Sequence, residues 1–369
     1  MKLTYISNSI LPSRSANSVH VMKMCQAFAN YHEVTLLAPD RSEEYEPEIS
    51  DVYSFYNVNK NFTIHKLPWV KLKGRTLWYG WQAARYAKRH KADLVYGRYV
   101  TGCLFAALLG IPTIIELHSL TRKQGFDGRV LSFLLRHKNV QRVVVISDAL
   151  KQAVMHEYDL TDEKILVAHD GADKVQNTET LSLTPPDGIH VGYVGQLFAG
   201  KGMELIAQLP PLFPEGIFHI VGGNEKDIAY WKECTKDYPN IIYHGFVTQK
   251  EAEQFRNSFD IVLAPYQSTV TTHGGSGDIA KWMSPLKLFE YMAAKKAIIA
   301  SDLPVLREVL THQHNALLCS PEQPQEWVAA LWTLSDETKR LQLSEVAYQN
   351  FLQNHTWQQR AKNVLNNLH

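Results

Sequence analysis

The sequence predicts an α/β protein made of two Rossmann-like, doubly wound domains. Short apolar runs that fit buried parallel strands alternate with helix-like stretches along most of the 369 residues. The alternation is interrupted at residues 184–188, Thr-Pro-Pro-Asp-Gly, and then resumes. With 45% apolar residues, a chain of this length can bury two cores. We therefore expect an N-terminal domain at 1–183, a C-terminal domain at 184–353 and a terminal helix at 354–369.

The expected strands are short and mainly apolar. In the first domain they lie at residues 3–7, 34–38, 62–67, 94–96, 113–116, 143–147 and 165–168, and in the second at 190–194, 218–221, 241–243, 261–264 and 297–300. A helix is expected at 203–209 and another after Asp302, because Pro304 follows it. The tail from Glu337 reads as helical, with Trp357 as its anchor.

Residues 284–301 place a lysine where a helix least favours one. Ser284 suits an N-cap and Pro285 the first helical position, so Lys287 falls in the first turn. Free amides and the helix dipole disfavour a cation there by about 0.3 to 1 kcal/mol, unless an anion is bound. Glu290 lies one turn further on, and an ordinary Lys287–Glu290 surface pair is the alternative.

The glycine-rich turn at residues 192–203 is a second anion-site candidate. It joins a strand to a helix and contains Gly195, Gln196 and Lys201. Such a turn suits a diphosphate, although the pattern lacks the hydroxyl residue of a P-loop. A plain structural turn is the alternative.

Together these two segments resemble the donor-binding signature of glycosyltransferase family 4, whose members are retaining enzymes of GT-B architecture. The resemblance implies a nucleoside diphosphate sugar bound by the C-terminal domain, in a cleft that faces the N-terminal domain, and a last helix that crosses back to the N-terminal domain. It implies sugar transfer to a saccharide or lipid-linked hydroxyl acceptor, as in bacterial polysaccharide, lipopolysaccharide or glycolipid synthesis. No metal or other cofactor is expected, since lysines and a helix N-terminus would hold the diphosphate.

The resemblance also assigns roles to individual residues. Glu290 would bind the ribose, Lys201 matches the diphosphate lysine, and Val247 would lie at the nucleobase. Trp282 stands where the family has a first glutamate, and Gln196 where it has an arginine. Asp278, in a glycine-rich loop, is our candidate for the sugar-hydroxyl contact that a glutamate at position 282 would make. The donor-binding residues we expect are Gly195, Gln196, Lys201, Gly222, Val247, Asp278, Leu286, Lys287 and Glu290.

The acceptor side is expected at strand ends of the first domain. His118 follows the strand at 113–116, where the family has a histidine at the reaction centre, and Arg98 follows the strand at 94–96. Asn17 ends the loop after the first strand. We expect His118, Lys201 and Glu290 to be the catalytic residues. A histidine satisfied by ordinary hydrogen bonds is the alternative for His118.

Charge is balanced overall at +1, but residues 52–92 contain no acidic residue. Nine lysines and arginines lie there among tryptophans and tyrosines: Lys60, Lys66, Lys71, Lys73, Arg75, Arg85, Lys88, Arg89 and Lys91. Basic and aromatic residues together suit an anionic membrane surface, and we expect that partner and no nucleic acid. A solvated helix face is the alternative.

Four widely separated cysteines indicate neither zinc nor a disulfide framework. The polar start and the short apolar run at 103–115 predict no signal peptide and no membrane span. We expect a cytoplasmic protein that contacts the inner face of a membrane.

Two alternatives to a transferase stay open. One is another GT-B enzyme of nucleotide sugars, such as a 2-epimerase. The other is a catalytically weak subunit that binds a sugar nucleotide, which Trp282 and Gln196 would suit.

Overall fold

The computed structural model describes residues 1–47, 49–176, 178–270, 278–366 and 368. It divides into two compact units, Met1–His169 with Trp357–His369, and Asp170–Thr356. The first break therefore precedes the expected boundary at residue 183. Backbone contacts explain the earlier boundary. Ala172 pairs with Thr356, and the amide of Ala172 donates to the carbonyl of His355 at 3.0 Å. These contacts tie the beginning of the second unit to its end.

The first unit is built on parallel strands that alternate with helices. Its strands are β1 (Lys2–Ile6), β2 (Glu33–Asp40), β3 (Thr63–Pro68), β4 (Leu94–Gly97), β5 (Thr113–Leu117), β6 (Val140–Val145) and β7 (Ile165–Val167). Its helices include α1 (Ala16–Ala29), α2 (Val52–Phe55), α3 (Arg75–Arg89), α4 (Val100–Leu108), α5 (Phe126–Arg136) and α6 (Asp148–Tyr158). The sheet order is β3-β2-β1-β4-β5-β6-β7.

The second unit repeats this design with a six-stranded parallel sheet in the order β10-β9-β8-β11-β12-β13. The strands are β8 (Ile189–Val194), β9 (Gly216–Val221), β10 (Ile241–Gly245), β11 (Ile261–Ala264), β12 (Ala297–Ser301) and β13 (Leu317–Cys319). The helices are α7 (Met203–Ile206), α8 (Glu225–Cys234), α9 (Gln249–Ser258), α10 (Leu286–Ala293), α11 (Pro324–Thr333) and α12 (Glu337–Asn354).

The terminal helix α13 (Trp357–Leu365) returns to the first unit, where it packs against α1. Trp357 is 2% exposed, in keeping with the anchoring role expected of it. The helical tail is broken at His355 and Thr356, which end the second unit.

Each sheet reverses its strand order once, between β1 and β4 in the first unit and between β8 and β11 in the second. Strands on both sides of such a point send their connections to opposite faces, which opens a crevice at their carboxyl ends. The loops after β4 and β5 carry Arg98 and His118 to that edge of the first sheet, whereas Asn17 lies in the first turn of α1 rather than in the loop after β1 where we expected it. The loops after β8 and β11 are the corresponding segments of the second unit.

Two local predictions are wrong. The helix expected after Asp302 is absent from this described segment, where a short 3-10 turn (Leu306–Glu308) leads into β13. Asp302 instead pairs with Arg307. Strand β13, of three residues, was not predicted.

Candidate functional site

Helix α10 begins without a side-chain cap. Pro285 lies at the cap position, and Leu286 and Lys287 are the first helical residues. Ser284 is not the cap that we expected, since its hydroxyl accepts a hydrogen bond from the amide of Asp170 at 2.7 Å. The amide of Leu288 donates to the carbonyl of Pro285. The amides of Leu286 and Lys287 therefore remain as the donors that a helix start offers to an anion.

The ammonium of Lys287 is buried at this helix start. The residue is 9% exposed, and its Nζ has no hydrogen-bond partner among the described residues. Nζ lies 3.6 Å from the ring centroid of Tyr193 and 5.2 Å from that of Tyr266. Burial, and next the charge of Lys201, lower the pKa of Lys287 well below its ordinary value. Aromatic faces attract a cation but replace its hydrogen bonds poorly, so the site is short of an acceptor.

Lys201 is a second lysine at the same place. It follows β8 in the predicted turn, and its Nζ lies 5.3 Å from the centroid of Tyr266. Burial lowers the pKa of Lys201 to about 8. Two lysines far apart in the chain thus face one ring, although their charges repel each other. A bound anion would relieve both the burial and the repulsion.

Glycines at the ends of β8 and β9 allow the backbone to come close to these lysines. A Cβ on Gly195 would lie 2.8 Å from the Nζ of Lys287, so any larger residue would displace the ammonium. Gly222 has a φ of +109°, and a Cβ there would collide with the carbonyl oxygen of Gly195. Their amides donate to the carbonyls of Val221 and Gly245 at 2.9 and 2.7 Å. Both glycines are therefore required by packing at the site.

Gln196 is half-buried, and its carbonyl accepts a hydrogen bond from the hydroxyl of Tyr193 at 2.6 Å. That bond fixes the ring beneath Lys287. Tyr193 and Tyr266 are 0% and 2% exposed. Sequence reasoning missed both tyrosines, because buried aromatic residues are usual in any strand of a core.

Glu290 lies one turn after Lys287, but its ion-pair partner is Arg256 of α9. Oε2 of Glu290 is 3.3 Å from Nη1 of Arg256, and the two side chains are 23% and 8% exposed. Glu290 thus pairs with a buried guanidinium and does not form the surface pair with Lys287 that was the alternative in the sequence. Arg256 carries no signal in the sequence, since it comes from a different helix.

Val247 and Asp278 lie on the segments that precede α9 and α10. Val247 is half-buried just before α9. Oδ1 of Asp278 accepts hydrogen bonds from the amides of Val270 and Ala280, each at 2.9 Å, so this oxygen braces the loop. The rest of the glycine-rich loop, 271–277, lies outside the described residues. Trp282 is half-buried beyond it.

In the first unit, His118 lies against a buried carboxylate. Nε2 of His118 shares a hydrogen bond with Oε1 of Glu116, which is 1% exposed. Burial, with the charge of Arg98, lowers the pKa of His118 to about 4, although Glu116 acts in the opposite direction. His118 is therefore neutral near pH 7. Its side chain is 20% exposed.

Arg98 follows the neighbouring strand β4, and Asn17 lies in the first turn of α1, the helix after β1. Arg98 is half-buried, and its Nη1 has no hydrogen-bond partner within the part of the chain that the structure describes. Nδ2 of Asn17 donates to the hydroxyl of Ser9 at 2.8 Å, and Ser9 contacts Ser7. This edge of the first unit thus offers hydroxyl and amide groups, a guanidinium and a neutral imidazole.

Comparison with known proteins gives this geometry a context. Residues 18–175 match the family described as Glycosyltransferase Family 4, and residues 188–337 match Glycosyl transferases group 1. The chain is 25% identical over 166 residues to TuaH of Bacillus subtilis, named as a putative teichuronic acid biosynthesis glycosyltransferase. It is 24% identical over 238 residues to an uncharacterized glycosyltransferase of Methanocaldococcus jannaschii. These alignments cover 43% and 61% of this chain, and 39% and 57% of those relatives.

The fold matches that of solved glycosyltransferases. Anabaena Alr3699/HepE in complex with UDP superimposes with a TM-score of 0.72 at 16% identity, over 99% of this chain and 98% of that one. In the described residues, no helix has the length and apolar content needed to cross a membrane. With its two parallel sheets and both family matches, the chain belongs to the family 4 glycosyltransferases of GT-B fold.

Proposed function

We propose that this protein is a retaining glycosyltransferase that moves a sugar from a nucleoside diphosphate to a hydroxyl acceptor. The observation that carries the proposal is the buried ammonium of Lys287, which has no hydrogen-bond acceptor within the described chain and shares the Tyr266 ring with Lys201. A diphosphate supplies what both lysines lack, namely negative charge and several acceptor oxygens.

The donor would be bound by the second unit. Lys201, Lys287 and the amides of Leu286 and Lys287 would hold the diphosphate, while the glycine backbones at 195 and 222 allow its close approach. Glu290, oriented by Arg256, would accept hydrogen bonds from the ribose hydroxyls. Val247 and Gln196 would border the nucleobase and the diphosphate. Asp278 would contact the sugar through the carboxylate oxygen that does not brace its loop.

The chemical step follows from where charge develops. As the bond between the sugar and the diphosphate breaks, the leaving phosphate gains negative charge, which Lys201 and Lys287 stabilise. The acceptor hydroxyl forms the new bond on the same face of the sugar and passes its proton to the leaving phosphate. Groups placed in advance at a developing charge commonly contribute a factor of about 100 to 1,000 in turnover. The lysines thereby supply the positive charge that a divalent cation supplies in other transferases.

The relatives support a proposal for the nucleotide and the pathway. Alr3699/HepE binds UDP and UDP-glucose, so we propose a UDP sugar as the donor. TuaH is named for teichuronic acid biosynthesis, which favours a surface polysaccharide or glycolipid as the product. On the acceptor side, Asn17, Arg98 and His118 would bind the attacking hydroxyl group and its sugar.

A basic aromatic face on the first unit favours a lipid-linked acceptor at an anionic membrane. We define this face as Lys71, Leu72, Lys73, Leu77, Trp78, Trp81 and Arg85. Three of its apolar members are exposed, Leu72 at 71%, Leu77 at 37% and Trp78 at 47%, and Trp81 is half-buried. Trp78 stacks on Trp81, whose ring lies under the guanidinium of Arg85 at 5.0 Å. The opposite side of α3, including Tyr79 and Ala83, is buried in the core. We propose that this face docks on the cytoplasmic surface of a membrane.

A subunit that binds sugar nucleotides but transfers slowly is the second candidate. It is favoured by Trp282 and Gln196, which stand where the resemblance leads us to expect a glutamate and an arginine.

Product analysis distinguishes these functions. The protein is incubated with UDP sugars and extracted lipid-linked acceptors in EDTA, and the glycoside is examined by NMR. We expect a product that keeps the anomeric configuration of the donor, and turnover in Lys201→Ala that is lower by about 100- to 1,000-fold. An inverted product or parental turnover in Lys201→Ala would contradict the mechanism. Epimer without glycoside would indicate an epimerase, and UDP binding without any product would indicate the subunit.

A further inference from the structure

The carboxylate of Glu116 is the centre of a buried polar cluster in the first unit. Nη2 and Nη1 of Arg360, on α13, donate to Oε1 and Oε2 of Glu116 at 3.0 and 3.3 Å. Tyr96 donates its hydroxyl to Oε2, and Nε2 of His118 shares a hydrogen bond with Oε1. Nε2 of His20 lies 3.0 Å from the same oxygen. Glu116 and Arg360 are 1% and 2% exposed, so this charge pair is isolated from water.

The proton position on His118 depends on whether Glu116 is ionised. An ionised carboxylate only accepts, so it requires a proton on Nε2 of His118 and leaves Nδ1 as the acceptor of the ring. A protonated carboxyl group could instead donate to Nε2, and the ring proton would then lie on Nδ1. Burial by itself would favour that neutral acid. A permanent cation beside Glu116 prevents it, because a guanidinium does not lose its proton in proteins.

We propose that Arg360 is a positioning residue that keeps Glu116 ionised and thereby holds His118 as the neutral tautomer with Nε2 protonated and Nδ1 free to accept. This inference rests on the proposed function, and it gives His118 a definite task, which is to accept a hydrogen bond from a sugar hydroxyl through Nδ1. The terminal helix thus contributes to the reaction centre through a side chain that does not touch substrate.

The orientation of Arg360 is fixed independently of Glu116. Its Nε donates to the carbonyl of His169 at 2.9 Å, and Nη2 donates to that of Ala168 at 3.1 Å. The backbone after β7 therefore aims the guanidinium at the carboxylate. An apolar side chain at position 360 would be enough to pack the helix, so packing does not explain this set of hydrogen bonds.

Burial and the neighbouring charges shift the pKa of each titratable group in this cluster in a definite direction. The charge of Arg98 lowers the pKa of His118, and that of Glu116 raises it. Burial would raise the pKa of Glu116, but Arg360 and then the two histidines outweigh it and hold the pKa well below its ordinary value. Burial, with Glu116, raises the pKa values of Tyr5 and Tyr96 well above their ordinary value, so both stay neutral. If Arg360 is removed, the pair of Glu116 and His118 should therefore take up a proton at a higher pH.

The test is a pH titration of ¹⁵N-histidine-labelled protein by NMR, without any sugar nucleotide. His118→Asn identifies the His118 signals, and the ¹⁵N shifts show which ring nitrogen carries the proton. In the parent we expect Nε2–H and a pKa far below that of free histidine. Arg360→Met should raise the apparent pKa of the His118–Glu116 pair by about one pH unit or more, and Arg360→Lys should preserve most of the parental behaviour.

Arg142→Met is the matched control. Nη1 of Arg142 donates to the carbonyl of Val364, so this variant also loosens α13 but leaves the charge beside Glu116 unchanged. Asp170→Asn is titrated as well. Asp170 is the residue after His169, whose carbonyl accepts a hydrogen bond from Arg360, and this variant shows what the Asp170 carboxylate contributes to the titration. If Arg360→Met fails to fold, Glu116→Gln replaces it and should remove the preference for Nε2–H.

An unchanged His118 titration in Arg360→Met, or an equal change in Arg142→Met, would overturn the positioning role. A parental Nε2–H preference in Glu116→Gln would do the same. None of these measurements needs catalysis, so their failure would leave the transferase proposal intact. Conversely, absent transfer in a protein with the expected titration would refute only the transferase.

Discussion

At the scale of single residues, Lys287 is a cation held where water cannot solvate it. Its Nζ faces two tyrosine rings and a second lysine, and none of these accepts a strong hydrogen bond. Such an arrangement costs stability unless something fills it, which is typical of sites built for a ligand. A methionine of similar length would fit the same space without the charge. The lysine is therefore best explained by an anion.

Glu290→Ala should weaken UDP binding and leave the fold intact. A charged hydrogen bond is worth about 1.5 to 3 kcal/mol, which corresponds to about a 10- to 100-fold rise in Kd. Calorimetry measures the change, with Glu345→Ala as the control because Glu345 forms an exposed pair with Lys295. Equal affinities in Glu290→Ala and the parent would reduce Glu290 to a structural partner of Arg256.

UDP binding should take up protons and weaken as the pH rises. Burial lowers the pKa of Lys201 to about 8, and that of Lys287 lies well below its ordinary value. A bound diphosphate favours the charged lysines and so raises both pKa values. Affinity should therefore be high below about pH 8 and fall between about pH 8 and 9, where free Lys201 loses its proton.

Calorimetry in buffers of different ionisation enthalpy measures this proton uptake directly. Lys201→Met should reduce the uptake and flatten the pH dependence above about pH 8. Proton release on binding, or an affinity that increases as the pH rises through that range, would show that the lysines do not contact the diphosphate.

At the scale of elements, α10 shows how far the sequence could be interpreted. The apolar stripe and Pro285 predicted a helix near its observed start, and Lys287 was recognised as a residue in the first turn. The expected Ser284 cap was wrong, because the amide of Asp170, 114 residues away, takes that hydroxyl. Tertiary contacts of this kind leave no periodic trace in a sequence. The same reason explains why the pair of Arg256 and Glu290 was missed.

The basic aromatic face on α3 should bind anionic vesicles more strongly than neutral ones. Each basic residue near an anionic surface contributes about 1 kcal/mol, screened by salt, and Trp78 adds apolar contact. Trp78→Ser should lower the bound fraction in a vesicle sedimentation assay. Trp332→Ser is a close control, since Trp332 is 46% exposed and Trp78 is 47% exposed, but Trp332 lies in the second unit.

Equal sedimentation with both vesicle types would leave α3 as a solvated face. An equal decrease of binding in Trp78→Ser and Trp332→Ser would place the membrane contact elsewhere.

At the scale of the whole molecule, the sequence predicted the two parallel sheets well. Apolar runs and their spacing are local signals, and among the described residues twelve of the thirteen strands lie where such runs occur. Boundaries were less predictable. The first unit ends at His169 rather than at the proline-rich segment, since Ala172 pairs with Thr356 across the length of the second unit. Arg360 was missed for a related reason, because its partner Glu116 lies 244 residues away.

In the function proposed here, lysines and a helix start form a diphosphate site without metal. This claim is tested most directly by measuring the Tm and the UDP affinity of Lys287→Met in EDTA. Removing a buried charge that has no acceptor among the described residues should raise the Tm of the free protein, while UDP affinity should fall at least about tenfold. Lys296→Met is the control, because Lys296 has the acceptor that Lys287 lacks among the described residues. Its Nζ donates to the carbonyl of Asn257 at 2.8 Å. That variant should be less stable and keep its UDP affinity.

We expect the Tm to rise while the UDP affinity falls, and an unfolding defect cannot produce both changes, because it would lower the Tm. Parental UDP affinity in Lys287→Met, or UDP binding by the parent that disappears in EDTA, would contradict the claim.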